Sequence, residues 1–243
     1  VEGRQAVREL LRARRRPVRQ LWVAEGAESG EVLAEILDLA RSAGVPVRRL
    51  PRSDIDARAA TDAPQGVVAV AAALPSARLE DLSGPGRDGQ PPMVVVLDGV
   101  TDPHNVGAVM RSALSAGATG LVLGRHRNAG LGPVAVKVAA GAAEYLPVVV
   151  VGGIPAALSA LSAAGVWTVA LDGEASLSLW GLQVASEPVA LVLGDEGRGL
   201  SRLTRERCEL AVRIPLHGPL ASLNVSAAAA LACFEVARHR AHS

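Results

Sequence analysis

The stretch "MVVVLDG", residues 93–99, constrains this chain more than any other feature. A run of β-branched residues with no polar face has nothing to offer water on either side. It therefore belongs in a parallel sheet covered on both faces. The remainder of the chain keeps to that pattern. Helix 105–116, strand "GLVLG", helix 133–143, strand "LPVVVV", helix 154–164 and strand "VWTVAL" succeed one another in strict alternation. "PVALVLGDEGRGL" adds a buried strand that ends in a Gly-rich turn. Strand 209–213, the loop "IPLHGPLASLN" and helix 222–240 close the chain. The pattern predicts an open parallel α/β sheet, with ligands beyond the carboxyl ends of its strands.

Upstream, residues 3–13 place Val7, Leu10 and Leu11 on one helical face. "QLWVAE", helix 31–42, "VPVRRL" and "GVVAVAAAL" then predict a smaller α/β unit with three strands. Between the two lies "PSARLEDLSGPGRDGQPP", residues 75–92, where periodicity disappears and Pro, Gly, Ser and charge dominate. Long structureless loops are uncommon inside a compact domain, so this stretch is expected to be a flexible linker. The expected division is 1–74 for the first domain, 75–92 for the linker and 93–243 for the second domain.

Hydrophobic residues make up 49% of the 243, enough for a substantial core, and no apolar span is long enough to cross a bilayer. "VEGRQAVRELLRARRRPVRQ" carries charge throughout its apolar stripe, unlike a signal peptide, so a cytoplasmic protein is expected. Cys208 and Cys233 form no CxxC and fit reduced, partly buried thiols. No cluster has metal-ligand spacing, so no metal is expected. Net charge is only +1, but Arg4, Arg8, Arg12, Arg14, Arg15, Arg16 and Arg19 face a single acid, Glu9, between residues 4 and 19. Guanidinium groups suit phosphate. A solvated helix face explains the same cluster, and only an independent sign of RNA separates the two. Trp22, Trp167 and Trp180 show no interleaving with basic residues and are expected to be packing residues.

Three polar clusters come directly after strands of the second domain: Asn105 to Arg111, "LGDEGRGL" (193–200), and "IPLHGPLASLNVSAAAAL" (214–231). On one sheet edge they would converge on one cleft. No GxxxxGK[ST] is present, and Gly194, Gly197 and Gly199 give GxxGxG, the wrong order for a dinucleotide fingerprint. Each residue also has an ordinary structural use. Asn105 suits a helix N-cap, Ser222 a cap of the last helix, Asn224 its first turn, Arg111 a surface ion pair and Glu196 a turn carboxylate.

Taken together and in order, "NVGAVMR", "LGDEGRGL" and "IPLHGPLASLNVSAAAAL" resemble the three motifs of the SpoU/TrmH family of RNA ribose 2′-O-methyltransferases, of the SPOUT class. "GRQAVRELL" and "APQGVVAVA" resemble the substrate-binding domain of its bacterial 23S rRNA guanosine branch, so the likeness spans the chain. The resemblance implies S-adenosylmethionine (SAM) as methyl donor, a deep trefoil knot, a homodimer and RNA, most readily 23S rRNA, as substrate. Cofactor contacts would fall on Gly194, Ile214 and Leu223, and a side chain at Gly194 would fill the cofactor's space. The catalytic set would be Asn105, Arg111, Glu196, Ser222 and Asn224. Methyl transfer to a hydroxyl depends on alignment of two reactants. Arg111 fits a fork onto the phosphate beside the target ribose, since a guanidinium with a pKa above ~12 is a poor base. RNA capture would fall on Arg4, Arg8, Arg12, Arg14, Arg15 and Arg16. The motifs are shared by tRNA and antibiotic-resistance rRNA methylases, and an idle RNA-binding homologue would keep the same fold.

Overall fold

The computed structural model describes residues 1–28, 30–86, 89–195, 197–219 and 222–241. In chain order the elements are α1 (Arg4–Ala13), β1 (Val18–Ala24), α2 (Glu31–Ser42), β2 (Val47–Leu50), α3 (Arg52–Arg58), β3 (Val67–Ala71), β4 (Met93–Asp98), α4 (Pro103–Ser115) and β5 (Gly120–Gly124). They continue with α5 (Pro133–Val138), β6 (Val148–Val151), α6 (Ile154–Ala163), β7 (Trp167–Leu171), β8 (Leu177–Ser178), β9 (Val189–Gly194), α7 (Arg202–Arg207), β10 (Leu210–Arg213) and α8 (Val225–Arg240). Two compact units result: Val1–Pro75 with Leu131–Tyr145, and Ser76–Gly130 with Leu146–Ser243.

The smaller unit holds a three-stranded sheet in the order β2-β1-β3. β2 runs parallel to β1, but β3 runs antiparallel, after a turn in which Gln65 and Gly66 both adopt positive φ. Val7, Leu10 and Leu11 of α1 and Leu33 and Ile36 of α2 pack on Leu21, Val23 and Val67. Helix 133–143 was expected to be continuous and to belong elsewhere. It stops at Val138, because Ala140 and Gly141 both take positive φ. At Gly141 a Cβ would stand 2.3 Å from Cβ of Glu9 on α1, so only glycine admits so close an approach. Tyr145 Oη donates to Glu9 Oε2 at 2.9 Å, and Lys137 Nζ donates to Thr61 Oγ1 at 3.1 Å. Arg16 is paired with the buried carboxylate of Glu144 and also donates to the Ala72 carbonyl.

The larger unit is a seven-stranded sheet in the order β6-β5-β4-β9-β7-β10-β8, every pair parallel. All six residues of β4 are buried, as its nearly unbroken apolar run requires. β8, the helix α7 and the placement of β10 between β7 and β8 were not legible in the periodicity. Nor is the expected linker free along its length. Leu79–Leu82 forms a 3-10 turn whose Leu82 is buried in the core of this unit. The fit is close enough that a Cβ on Gly120 would meet Leu82 Cδ2 at 2.5 Å. Trp167 and Trp180, expected as packing residues, are exposed, and Trp22 is half-buried. Cys233 is fully buried and Cys208 partly so; burial pushes both thiols up to about 12, which keeps them protonated and unreactive. Among the described residues no helix is long and apolar enough to span a membrane.

The Arg16–Glu144 pair is the most deeply buried ion pair among those resolved, with side chains 8% and 1% exposed. Removing one partner strands a charge. Arg16→Met is therefore expected to cost about 3–5 kcal/mol, read from the urea denaturation midpoint, whereas Arg16→Met with Glu144→Leu recovers most of it. A single-variant loss below about 1 kcal/mol, typical of an exposed pair, would show that the pair is solvated.

Candidate active site

The site forms in the larger unit, where strand ends meet two helix starts. β4 ends at Asp98, which pairs in register with Gly194 at the end of β9. Beyond Gly194 the chain turns back on itself. Asp195 N donates to Gly199 O at 3.2 Å, and Gly199 N donates to Asp195 O at 2.8 Å, with Gly199 in the left-handed region. A Cβ on Gly194 would lie 2.1 Å from the Gly199 carbonyl carbon and 2.3 Å from Leu200 N. The obstacle to a side chain there is thus the protein's own backbone, met before any ligand. Buried Asp98 fixes the returning chain by accepting from Ser201 N at 2.9 Å. Glu196 lies outside the described residues.

Next to this turn opens a cleft of about 190 Å³ whose lining includes Leu171, Gly194, Ile214, Ser222 and Leu223. All three residues expected to touch the cofactor are in it, together with one of the expected catalytic set. Leu193, Leu216 and Val225 add apolar wall, and the strand-end residues Asp172, Gly173, Asp195 and Gly199 join the lining. Apolar walls suit the faces of an adenine, and exposed strand-end amides and carbonyls suit its edge. Asp172 is already paired with Arg205 at 2.6 Å, which leaves Asp195 as the carboxylate without an ion pair among the described lining residues. The residues present fit SAM.

Beside the cleft, α4 and α8 begin side by side. Asp102, not Asn105, is the N-cap of α4, its carboxylate accepting from His104 N at 2.8 Å. Asn105 sits inside the first turn, so capping does not account for it. Its Oδ1 accepts from Asn224 Nδ2 at 3.0 Å. Asn224 caps α8, its Oδ1 accepting from Ser226 N at 2.9 Å. One amide thus starts a helix and ties the first motif to the third. Ser222, expected as an alternative cap, lines the cleft instead. Arg111 is exposed on α4, with no carboxylate partner among the described residues. Sequence reasoning missed Asn128, whose Oδ1 accepts from Val100 N at 2.8 Å and whose Nδ2 donates to Leu97 O at 3.2 Å. It fixes the loop between β4 and α4. The only sign of it was a polar residue in the Gly-rich stretch after β5.

The six N-terminal arginines divide differently from expectation. Arg8 and Arg12 share Glu9 and Glu35, and Arg15 donates to the Glu144 and Tyr145 carbonyls. Arg4 donates to the Glu28 carbonyl at 3.1 Å, and Arg16 is committed to Glu144. Arg14, at the left-handed end of α1, is exposed with no ion pair among the described residues.

Residues 92–234 match the SpoU rRNA methylase family, and residues 1–77 match the family of RNA 2′-O ribose methyltransferase substrate-binding domains. The chain belongs to the SpoU methylase family. Among its relatives is the 23S rRNA (guanosine-2′-O-)-methyltransferase RlmB of Pseudomonas putida, 40% identical over 99% of this chain and 96% of that protein. A putative TrmH family tRNA/rRNA methyltransferase of Bacillus subtilis, YacO, is 36% identical over 99% of this chain and 95% of its own length. The crystal structure of the SpoU methyltransferase AviRb from Streptomyces viridochromogenes with AdoMet is 28% identical and covers 99% of this chain and 89% of that one, with a TM-score of 0.80. This SpoU methylase is a SAM-dependent RNA methyltransferase with the SPOUT fold.

The backbone contact at Gly194 makes its substitution informative. Gly194→Ala adds one carbon and is expected to abolish SAM binding in calorimetry by displacing the 195–200 turn, with a lower thermal midpoint. Normal SAM affinity in that variant would disprove the close approach.

Proposed function

We propose that this SpoU methylase methylates the ribose 2′-hydroxyl of a guanosine in 23S rRNA, in the cytoplasm and as a homodimer. One observation carries the reading. The Asn105–Asn224 hydrogen bond joins the first and third motifs beside a cleft lined by Gly194, Ile214 and Leu223. The base and the RNA class rest on the printed activity of relatives about 40% identical along nearly the whole chain.

Bound SAM supplies an electrophilic methyl group on a sulfonium. The protein's part is placement. Asn105 and Asn224, each with a donor and an acceptor, orient the ribose. The exposed Arg111 forks onto the adjoining phosphate, a bidentate contact that a lysine does not reproduce. The N-termini of α4 and α8 add positive potential on the same side. Glu196 and Ser222 are assigned supporting roles by their motif positions. RNA capture is assigned to the N-terminal unit, where Arg14 has no ion pair among the described residues and Arg4, Arg8, Arg12, Arg15 and Arg16 also have partners within the fold. The trefoil knot is part of the proposal, supported by the insertion of β10 between β7 and β8.

Incubation with SAM and unmodified 23S rRNA, followed by mass-spectrometric mapping of ribose methylation, tests the activity; SAM binding without transfer would reduce the protein to an RNA-binding homologue. Arg111→Ala is expected to lower methylation roughly 10- to 150-fold, the value of a charge-assisted hydrogen bond, with SAM affinity unchanged. Arg111→Lys restores little, and a fully active Lys variant would refute the fork. Asn224→Ala should lose turnover and also about 1 kcal/mol of stability through its cap, whereas Asn105→Ala loses turnover alone.

The homodimer is supported by the outer face of α8. Phe234 is 51% exposed, Leu231 40% and neighbouring Trp180 46%, an apolar patch on the side of the helix turned away from its core residues Ala229, Ala232, Cys233 and Val236. A second copy of this chain is the occupant we assign. Phe234→Asp is expected to convert a dimer into a folded monomer in light scattering. A monomeric parent protein at micromolar concentration would contradict the assignment.

A further inference from the structure

The N-terminal sheet has two faces. Leu21 and Val23 point into the core beneath α1 and α2. On the opposite face, Trp22 stands in register with Arg48 of β2 and with Val68 of β3, and Gln20 stands in register with Val70. α3 covers one end of that face, where Ile55 meets Ala24 and Val68 and Trp22 packs against the three. The remainder is open: Arg48 is exposed, while Gln20, Trp22 and Val70 are half-buried. The Trp22 ring is held in place, its Nε1 donating to Gln20 Oε1 at 2.9 Å. That bond satisfies its one polar atom, and the half-buried ring keeps part of its surface open to solvent. Arg58 lies over the ring, 6.0 Å from its centroid, and is itself exposed, in a surface ion pair with Asp54 at 3.3 Å and donating to the Asp54 carbonyl at 2.8 Å. Arg48 has no ion pair among the described residues.

We propose that this face seats an unpaired nucleotide of the RNA substrate, the base stacking on Trp22 while Arg48 and Arg58 take the flanking phosphates. The inference rests on the RNA methyltransferase reading and names the surface and strand state it uses. A fixed indole between guanidinium groups is the pattern that binds single strands, since every base offers a π face and every linkage a phosphate. A duplex keeps its bases stacked inside and offers none to a sheet. The base replaces the Arg58 guanidinium over the ring, and the guanidinium leaves its exposed pair with Asp54 for the neighbouring phosphate, so a cation–π contact and a weak surface ion pair are exchanged for a stack and a charge-assisted hydrogen bond. Trp22 does pack, as expected, against the cluster that holds Ile55 of α3, and it is the solvent-open part of its half-buried ring that the proposal gives to the base.

The test uses the full chain with Trp167→Phe and Trp180→Phe, so that Trp22 is the remaining tryptophan. A single-stranded oligoadenylate and an RNA duplex of the same length are titrated against Trp22 fluorescence. The single strand is expected to quench it saturably and the duplex to do so far less. Trp22→Ala should weaken single-strand binding about 5- to 150-fold, and Trp22→Phe should retain most of it. Arg48→Glu is exposed and leaves the core intact. It should lower affinity and flatten the salt dependence by at least about 0.7 in the log–log slope. RNA binding with unchanged Trp22 emission and no effect of Arg48→Glu would overturn the surface while leaving the methyltransferase reading in place. A parent protein that binds no RNA in this assay and methylates none would overturn both.

Discussion

The structure turns on one close approach, the return of the chain across Gly194. A backbone carbonyl and an amide occupy the space where a side chain on that residue would project. Only glycine lets the strand end and the succeeding turn lie flush. Asp98, on the paired strand, holds the returning segment through Ser201 N. The turn therefore stays close to β9, and the cleft opens between Gly194 and the segment that carries Ile214 and Leu223. A residue identified from its motif as a cofactor contact is first of all a folding requirement. Both roles arise from one geometry.

A second constraint operates at the helix starts. A helix begins with unsatisfied amide donors, and Asn224 meets one of them through Oδ1. Because an amide side chain has a donor as well, Nδ2 is left to reach Asn105. An aspartate would cap as well but has no donor for Asn105, and a serine is too short to span both. The chemistry of the site therefore selects one residue type from the set that capping alone permits.

The features legible in the sequence were local ones. Apolar runs marked β4, β5, β6, β7 and β9, and 3.6-residue periodicity marked α1, α2, α4 and α6 to within a few positions. The strand-end clusters that form the site were visible because their spacing is set by neighbours in the chain. The hidden features depend on partners far away in sequence. Nothing near Gly141 announces that Glu9 will press against it, and nothing in residues 75–92 marks Leu82 as a core residue. β8 is two residues long, too short for any period. The position of β10 between β7 and β8 is a property of the path, to which a reading of windows is blind.

The N-terminal arginines show the same limit as a matter of charge. In the sequence they form one basic block with a single acid, and a block of that kind reads as a phosphate-binding face. In the folded unit their neutralising partners arrive from elsewhere: Glu35 from the next helix and Glu144 from the segment after α5. A planar guanidinium suits the Arg16 position, where it meets a carboxylate and the Ala72 carbonyl together, a geometry that an ammonium on a flexible stem holds less well. Charge committed in this way serves the fold. Within this unit the arginines that meet no acid among the described residues include Arg14 at the end of α1 and the exposed Arg19, Arg48 and Arg49 of β1 and β2. Counting basic residues along a chain thus overstates a binding surface wherever folding delivers acids to them, and the surface that remains is found only by tracing each guanidinium to its partner.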